Sequence, residues 1–398
     1  MHAVKVLRSC LGPVFACMHA RRCAVLLDAV RALVVGRHLT LMELARSWPD
    51  SLRVAAPLKK LDRLLGNPHL AGERESIYAA MTGWLVRQPR PVIVVDWSPL
   101  DARGRFQLLR AGLAVGGRTL TLYERVCPAT QIGNPKIERG LLRALRRSMP
   151  VGSKPIMVTD AGFRAPWFRA VQTLGWDWIG RVRGRALVKP QHLPDTPDRW
   201  RHCEELYRRA GAAARDLGVW EVVRNHSVAC RLVLHCKRPR GRADLTLKGQ
   251  RVRSKHSRTI AKRESDPWLL AVSPTLDLTP AQVTGIYARR MQIEQSFRDL
   301  KSHRYGVGFE DSLTRTGRRL ATLLLIHALV CFVAWIATKV VSRDAWRAAV
   351  ATMVRSNRPG TLSWHRIGWC LLREDRWRSR SRITASAIIG DGDALASG

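Results

Sequence analysis

The sequence predicts an α/β protein in which a mixed sheet with flanking helices is interrupted by a mostly β insertion and preceded by an N-terminal helical domain. Three observations predict it. Between residues 89 and 184, short β-branched runs alternate with amphipathic helical stretches; before Pro89 the apolar spacing is helical throughout; after residue 185 several strand-like runs follow one another without a helix between them. Of the 398 residues, 46% are hydrophobic and 25% charged, values of a chain that buries a real core, which excludes a disordered or fibrous protein. The expected division is 1–88 (helical), 89–184 (first part of the mixed-sheet core), 185–280 (basic β insertion), 281–345 (second part of that core) and 346–398 (C-terminal helical segment and basic tail).

Taken in order, Arg21 to Val35 is a helix that Gly36 can end, and Thr40 caps a second helix reaching Ala45. This pair reads either as a DNA-contacting helix-turn-helix or as part of a plain bundle. Pro91-Val-Ile-Val-Val-Asp96 is a strand ending in an acid, and Leu108 to Val126 is a hairpin turning at Gly116-Gly117. A helix from Lys136 to Ser148 leads to a second strand, Pro155-Ile-Met-Val-Thr-Asp160, which also ends in an acid. A helix from Ala165 to Leu174 and a strand from Trp176 to Arg183 follow. The insertion carries strands at Val219–Arg224, Val228–Lys237 and Trp268–Ser273. Its loop from Lys237 to Arg263 has 11 Lys/Arg and one acid, Asp244, and reads as a solvated loop or a phosphate contact. One helix is expected from Pro280 to Ser302. Leu320 to Thr338, 19 residues without a formal charge, is expected to be a buried core helix rather than a membrane span, because Arg318-Arg319 and Lys339 flank both ends symmetrically.

The charge balance points to a polyanion. Lys and Arg number 68 against 31 Asp and Glu, a net charge of +37, and all but 12 of the basic residues are Arg, whose planar fork suits phosphate. Nine cysteines without a C-x-x-C pair fit a reducing cytosol, and no signal peptide is read at the N-terminus. His226, Cys230, His235 and Cys236 are expected to be strand packing rather than a zinc site, leaving no competing soft metal site.

Among so few acids, two that each terminate an apolar strand stand out. Alone, Asp96 or Asp160 reads as a turn cap; on adjacent strands the pair would share one sheet edge and call for a cation between them. The helix from Pro280 supplies further groups. With Tyr287 at 0° and about 100° per residue, Arg290, Glu294 and Lys301 fall near 300°, 340° and 320°, on a polar stripe beside the apolar one of Ile286, Ile293, Phe297 and Leu300.

The spacing Tyr287-x2-Arg290-x3-Glu294-x6-Lys301 resembles the Y-R-E-K signature of the large bacterial insertion-sequence family of DDE transposases, which holds the transposases of the tetracycline- and kanamycin-resistance transposons. Val95-Asp96-Trp97-Ser98, Asp160-Ala-Gly-Phe163 and Arg181-Val-Arg-Gly184 extend the likeness. Lys60 to Asn67 with His69-Leu70 resembles the tetracycline-transposon subgroup. The chain has Gln295 where relatives often carry a second Glu after the catalytic one.

The resemblance implies an RNase H-like core with Asp96, Asp160 and Glu294 as catalytic acids holding two Mg²⁺ ions, with Mn²⁺ as a substitute. It further implies Tyr287, Arg290 and Lys301 as phosphate holders, and Trp268 as the ring that receives a flipped base, against the alternative of a buried strand Trp. Cut-and-paste transposition through a hairpin is the implied activity. Double-stranded DNA at the inverted repeats and target is the partner, with a homodimer, no membrane, and a bacterial cytoplasmic, nucleoid-associated location. A nuclease lacking strand transfer and an inactive DNA-binding relative are the alternatives.

Overall fold

Gly116 and Gly117 adopt φ of 81° and 77°, the positive values a two-residue hairpin turn requires, and Val115 N–H donates to Arg118 O across it. On either side the chain pairs as β2 (Phe106–Ala114) and β3 (Thr119–Pro128), and β1 (Val92–Pro99) joins β2 antiparallel. The structure is a computed structural model that describes residues 3–101, 103–236, 250, 254, 258, 266–340 and 362–373. The basic loop expected to contact phosphate therefore lies almost wholly outside the described residues, as does the Arg-rich tail after Arg373.

The chain divides into two compact units, Met1–Ser153 with Met291–Gly398, and Lys154–Arg290. In the first, α1 (Ala3–Ala16), α2 (Ala20–Gly36), α3 (Leu41–Arg46), α4 (Ala55–Gly66) and α5 (His69–Leu85) precede the order β3-β2-β1, with α6 (Pro135–Ser148) after it. The Thr40 cap is the one the sequence suggests, and Asn134 is a second that it did not mark. Thr40 Oγ1 accepts from Glu43 N–H at 3.2 Å, and Asn134 Oδ1 accepts from Lys136 N–H at 2.9 Å. The N-terminal helices do not stand apart from the sheet: α1, α2, α4, α5 and β3 all pack on α10 (Gly317–Val340). That helix is apolar on every side and 94% buried over its most hydrophobic 18 residues, which makes it the central core helix of its unit. Under the hairpin, Glu124 is buried yet satisfied, accepting from Tyr78 Oη at 2.6 Å and from Arg110 Nε at 2.7 Å.

The second unit comprises β4 (Ile156–Thr159), α7 (Ala165–Thr173), β5 (Asp177–Val182), β6 (Leu187–Pro190), β7 (Arg201–His202), β8 (Arg215–Val222), β9 (Val228–His235), β10 (Trp268–Val272) and α8 (Pro280–Ala288). Its strands run in the order β4-β5-β10-β9-β8-β6-β7. β4 and β5 are parallel; the pairings of β5 with β10 and of the strands beyond it are antiparallel. The short β6 and β7 were not expected from the sequence, being too brief for an alternation to register. The β insertion is also not a separate sheet, since β10 pairs directly with β5.

Three sequence expectations need correction. The helix expected from Pro280 to Ser302 is two helices, α8 and α9 (Met291–Lys301). At their junction Arg289 and Arg290 donate to the carbonyls three residues back, Ile286 O and Tyr287 O, a tightening that ends the first helix. The residues of the expected polar stripe therefore belong to two helices and not one: Tyr287 is 2% exposed and belongs to α8, whereas Glu294 and Lys301 lie on α9. Asp96, finally, does not end its strand, because pairing with β2 continues to Pro99 opposite Gln107. Asp160 does sit immediately after its own strand.

Candidate active site

In the first unit a cleft of about 530 Å³ opens over the end of β1 and the start of α9, lined by Asp96, Ser98, Glu294, Lys301, His303 and Glu310 among others. Asp96 points there from a strand whose preceding residues, Val92 to Val95, are buried; its Oδ1 accepts from the N–H of Trp97 at 2.8 Å. Glu294 lies in the first turn of α9, where the helix dipole favours a carboxylate.

The seating of α9 is fixed from its other side. Ser296 Oγ accepts from Thr119 N–H at 2.8 Å, Asp299 is ion-paired with Arg118, and Ile293 and Leu300 are fully buried. Lys301, at the last turn, donates to Ser98 Oγ at 2.6 Å and lies 5.8 Å from the Phe297 ring. Burial lowers the pKa of its ammonium, aided by Arg110, while Glu310 and Asp96 pull it back up. The cleft thus offers carboxylate oxygens beside a partly desolvated cation. Such oxygen donors suit a hard divalent ion, with the ammonium placed for a phosphate oxygen.

In the second unit the groups are Asp160, Arg181, Trp268, Tyr287 and Arg290. Asp160 closes a turn, its Oδ1 accepting from Gly162 N–H at 2.8 Å, and a Cβ at residue 162 would stand 3.0 Å from that same oxygen, so glycine keeps the carboxylate uncrowded. Tyr287 is held in a buried position where burial raises its phenol pKa and Asp160 adds to the rise, while Arg290 and Arg181 oppose it. The ring of Trp268 meets that of Tyr287 edge-on at 4.9 Å, and His235 lies 5.9 Å away on the paired strand β9. Trp268 is half-buried at the first position of β10, neither a core Trp nor fully open.

Within each unit, then, the expected residues meet: Asp96, Glu294 and Lys301 at one cleft, and Asp160 among the charges that act on Tyr287, with Arg290 beside it. Ser98 and Glu310 were not assigned from the sequence; Ser98 stood inside the quoted motif, whereas Glu310 reaches the cleft only through the 3₁₀ turn Phe309–Ser312.

The His226 to Cys236 run behaves as strand and turn. Cys230 is fully buried in β9, and His226 is exposed in a turn at φ 57°. The expectation that no soft donor set competes is corrected elsewhere: His327, Cys331 and His365 come together, a grouping hidden in the sequence by an apolar run and by the distance to His365.

When the chain is compared with family models, residues 87–332 match the one described as Transposase DDE domain, well over half of the chain. The match begins where the β-branched texture begins and ends inside α10. A search of curated proteins finds no match.

Proposed function

Because the chain belongs to the transposase DDE domain family and is a transposase, an enzyme acting on DNA, we propose that it moves an insertion sequence by cut-and-paste transposition. The observation that carries the reading is the cleft inside the matched region where Asp96, Glu294 and Lys301 converge. Asp96, Asp160 and Glu294 would hold two Mg²⁺ ions, with Mn²⁺ able to substitute; their all-oxygen donor set fits such ions and disfavours zinc. When bound, the ions polarise the scissile phosphate and stabilise charge on the attacking and leaving oxygens.

The side chains supply position and electrostatics. The Trp97 N–H fixes the direction of one Asp96 oxygen. Ser98 orients the Lys301 ammonium so that it can neutralise a non-bridging phosphate oxygen. Arg290, a guanidinium whose planar fork matches phosphate oxygens, suits a phosphate on the flank. Tyr287, whose burial raises its phenol pKa further, offers a hydroxyl donor and not a base. Trp268, half-buried and packed edge-on against that ring, is the aromatic that would stack with an unpaired base, a contact worth roughly 1–3 kcal/mol.

The finer sequence of steps is one phosphoryl transfer repeated with different oxygen nucleophiles. Water nicks the element's end; the freed 3′-hydroxyl attacks the opposite strand to form a hairpin; water opens it; the 3′-hydroxyl then attacks target DNA. No protein–DNA covalent bond forms at any step. A homodimer holding the two ends together and a location beside the bacterial nucleoid complete the proposal.

The decisive experiment incubates the purified chain with a pre-cleaved 3′ end and supercoiled plasmid in Mg²⁺. Joined product is the expected result. Cleavage of end DNA without joining would reassign the chain as a nuclease of this fold, and binding without either reaction as an inactive relative.

A further inference from the structure

The central helix α10 is apolar on every side yet carries His327 and Cys331 one turn apart at its middle, both buried. His365, from α11 (Trp364–Arg373), joins them: one ligand-type atom from each of the three residues lies within 4.8 Å of the other two. Cys331 Sγ stands 3.5 Å from His327 Nε2. A tetrahedral zinc with Zn–S of about 2.3 Å and Zn–N of about 2.1 Å spaces those two donors about 3.6 Å apart.

A thiol–imidazole hydrogen bond alone would satisfy His327 and Cys331 but does nothing for His365. The Nδ1 of that ring faces Asp299 Oδ2 at 3.6 Å, while its Nε2 is buried without a hydrogen-bond partner. A carboxylate on one imidazole nitrogen with the other left bare is how ligating histidines are oriented. Asp299 is in turn anchored by Arg118.

The approach of the two helices is built in. Gly368, one turn beyond His365, comes so close to α10 that a Cβ would meet Ala334 O at 2.2 Å, and Trp369 Nε1 donates to Val34 O of α2 at 3.0 Å. We propose that His327, Cys331 and His365 form a binding site for Zn²⁺, separate from the oxygen-lined cleft of Asp96 and Glu294, that fastens α11 to the core helix. Nitrogen and sulfur donors select such a cation over Mg²⁺. On binding, the Cys331 S–H bond breaks and a sulfur–zinc bond forms, the proton passing to solvent, and both imidazoles bind in the neutral form. A solvent oxygen completes the tetrahedron, and Asp299, held by Arg118, orients the His365 ring. Because Asp299 lies on α9, the site also ties the C-terminal helix to the helix bearing Glu294.

The test uses the full-length chain, stripped with a chelator and titrated with Co²⁺ in the absence of Mg²⁺. One equivalent is expected to give a thiolate-to-cobalt charge-transfer band, which cobalt on carboxylates cannot produce, and one equivalent of Zn²⁺ to remove it. Cys331→Val, which keeps the site apolar, should lose the band; Cys127→Val, at a buried cysteine of β3, should keep it. Asp299→Asn should weaken cobalt binding by about 10–100-fold. Circular dichroism checks each fold, and His365→Gln serves as the second ligand variant if Cys331→Val does not fold. Absence of the sulfur band in the wild-type chain, or its survival in a folded ligand variant, overturns the proposal.

Discussion

Asp96 and Glu294 reach the same cleft by different routes, one from a strand backed by buried Val92 to Val95 and one from the first turn of a helix. Replacing either by its amide removes a charge without changing shape, so Asp96→Asn and Glu294→Gln should each lower Mg²⁺-dependent strand cleavage by about 10²–10³-fold or more while binding to the element's ends persists, as read by gel shift beside a cleavage assay. Near-normal cleavage by either variant removes that residue from the site. Lys301 carries a further expectation, because its folded-state pKa lies below the unfolded value. The protonated side chain therefore costs stability at neutral pH, and the cost is relieved as pH rises through the folded pKa. Lys301→Met should be more stable than wild type near pH 7, with the difference shrinking at alkaline pH, and yet cleave poorly. Cleavage should fall on an alkaline limb that begins below the ordinary lysine value, and Lys301→Arg, charged throughout, should remove that limb. A limb unchanged in the Arg variant belongs to another group.

At the scale of elements, the hairpin β2–β3 is the platform on which α9 is seated, held by the Thr119–Ser296 hydrogen bond and the Arg118–Asp299 ion pair. The Ser296 hydroxyl accepts the otherwise orphaned N–H of Thr119, so Ser296→Ala should cost about 1–3 kcal/mol and reduce cleavage, since Glu294 rides on the same helix. Beneath the sheet, Arg110 and Glu124 are 1% and 3% exposed and ion-paired. Arg110→Ala strands a buried carboxylate and should destabilise by about 3–5 kcal/mol, visible as a lower urea midpoint at unchanged slope. The triple variant Arg110→Met, Glu124→Leu, Tyr78→Phe removes every partner together and should recover much of that loss; a triple variant as unstable as Arg110→Ala would mean the network does more than satisfy itself. The break between α8 and α9 belongs to this scale too. Tyr287 precedes it, Arg290 lies at it and Glu294 follows it, so a helical wheel drawn over one continuous helix does not apply to the three.

For the molecule as a whole, a net charge of +37 is matched to a DNA substrate, and affinity for end DNA should fall linearly on a log–log plot against salt with a slope of about −0.9 for each phosphate engaged. A shallow slope, that of one or two contacts, would show that most of this charge never meets the duplex. The sequence by itself determined the class of the protein, since strand, turn and cap signals are local: the glycine pair at 116–117, the cap Thr40, and the β-branched runs before Asp96 and Asp160 needed only near neighbours to be read. It also marked Asp96, Glu294 and Lys301, because residue types at fixed spacing survive in the linear order. Tertiary structure alone decided what depends on contacts far apart in the chain. Ser98 became a support for Lys301 only when α9 folded against β1, and β10 found β5 as its neighbour only in the folded sheet. His327, Cys331 and His365 meet only where Gly368 lets two helices touch, and no periodicity records such a contact, because burial and close approach are properties of surfaces that exist only after the chain has folded.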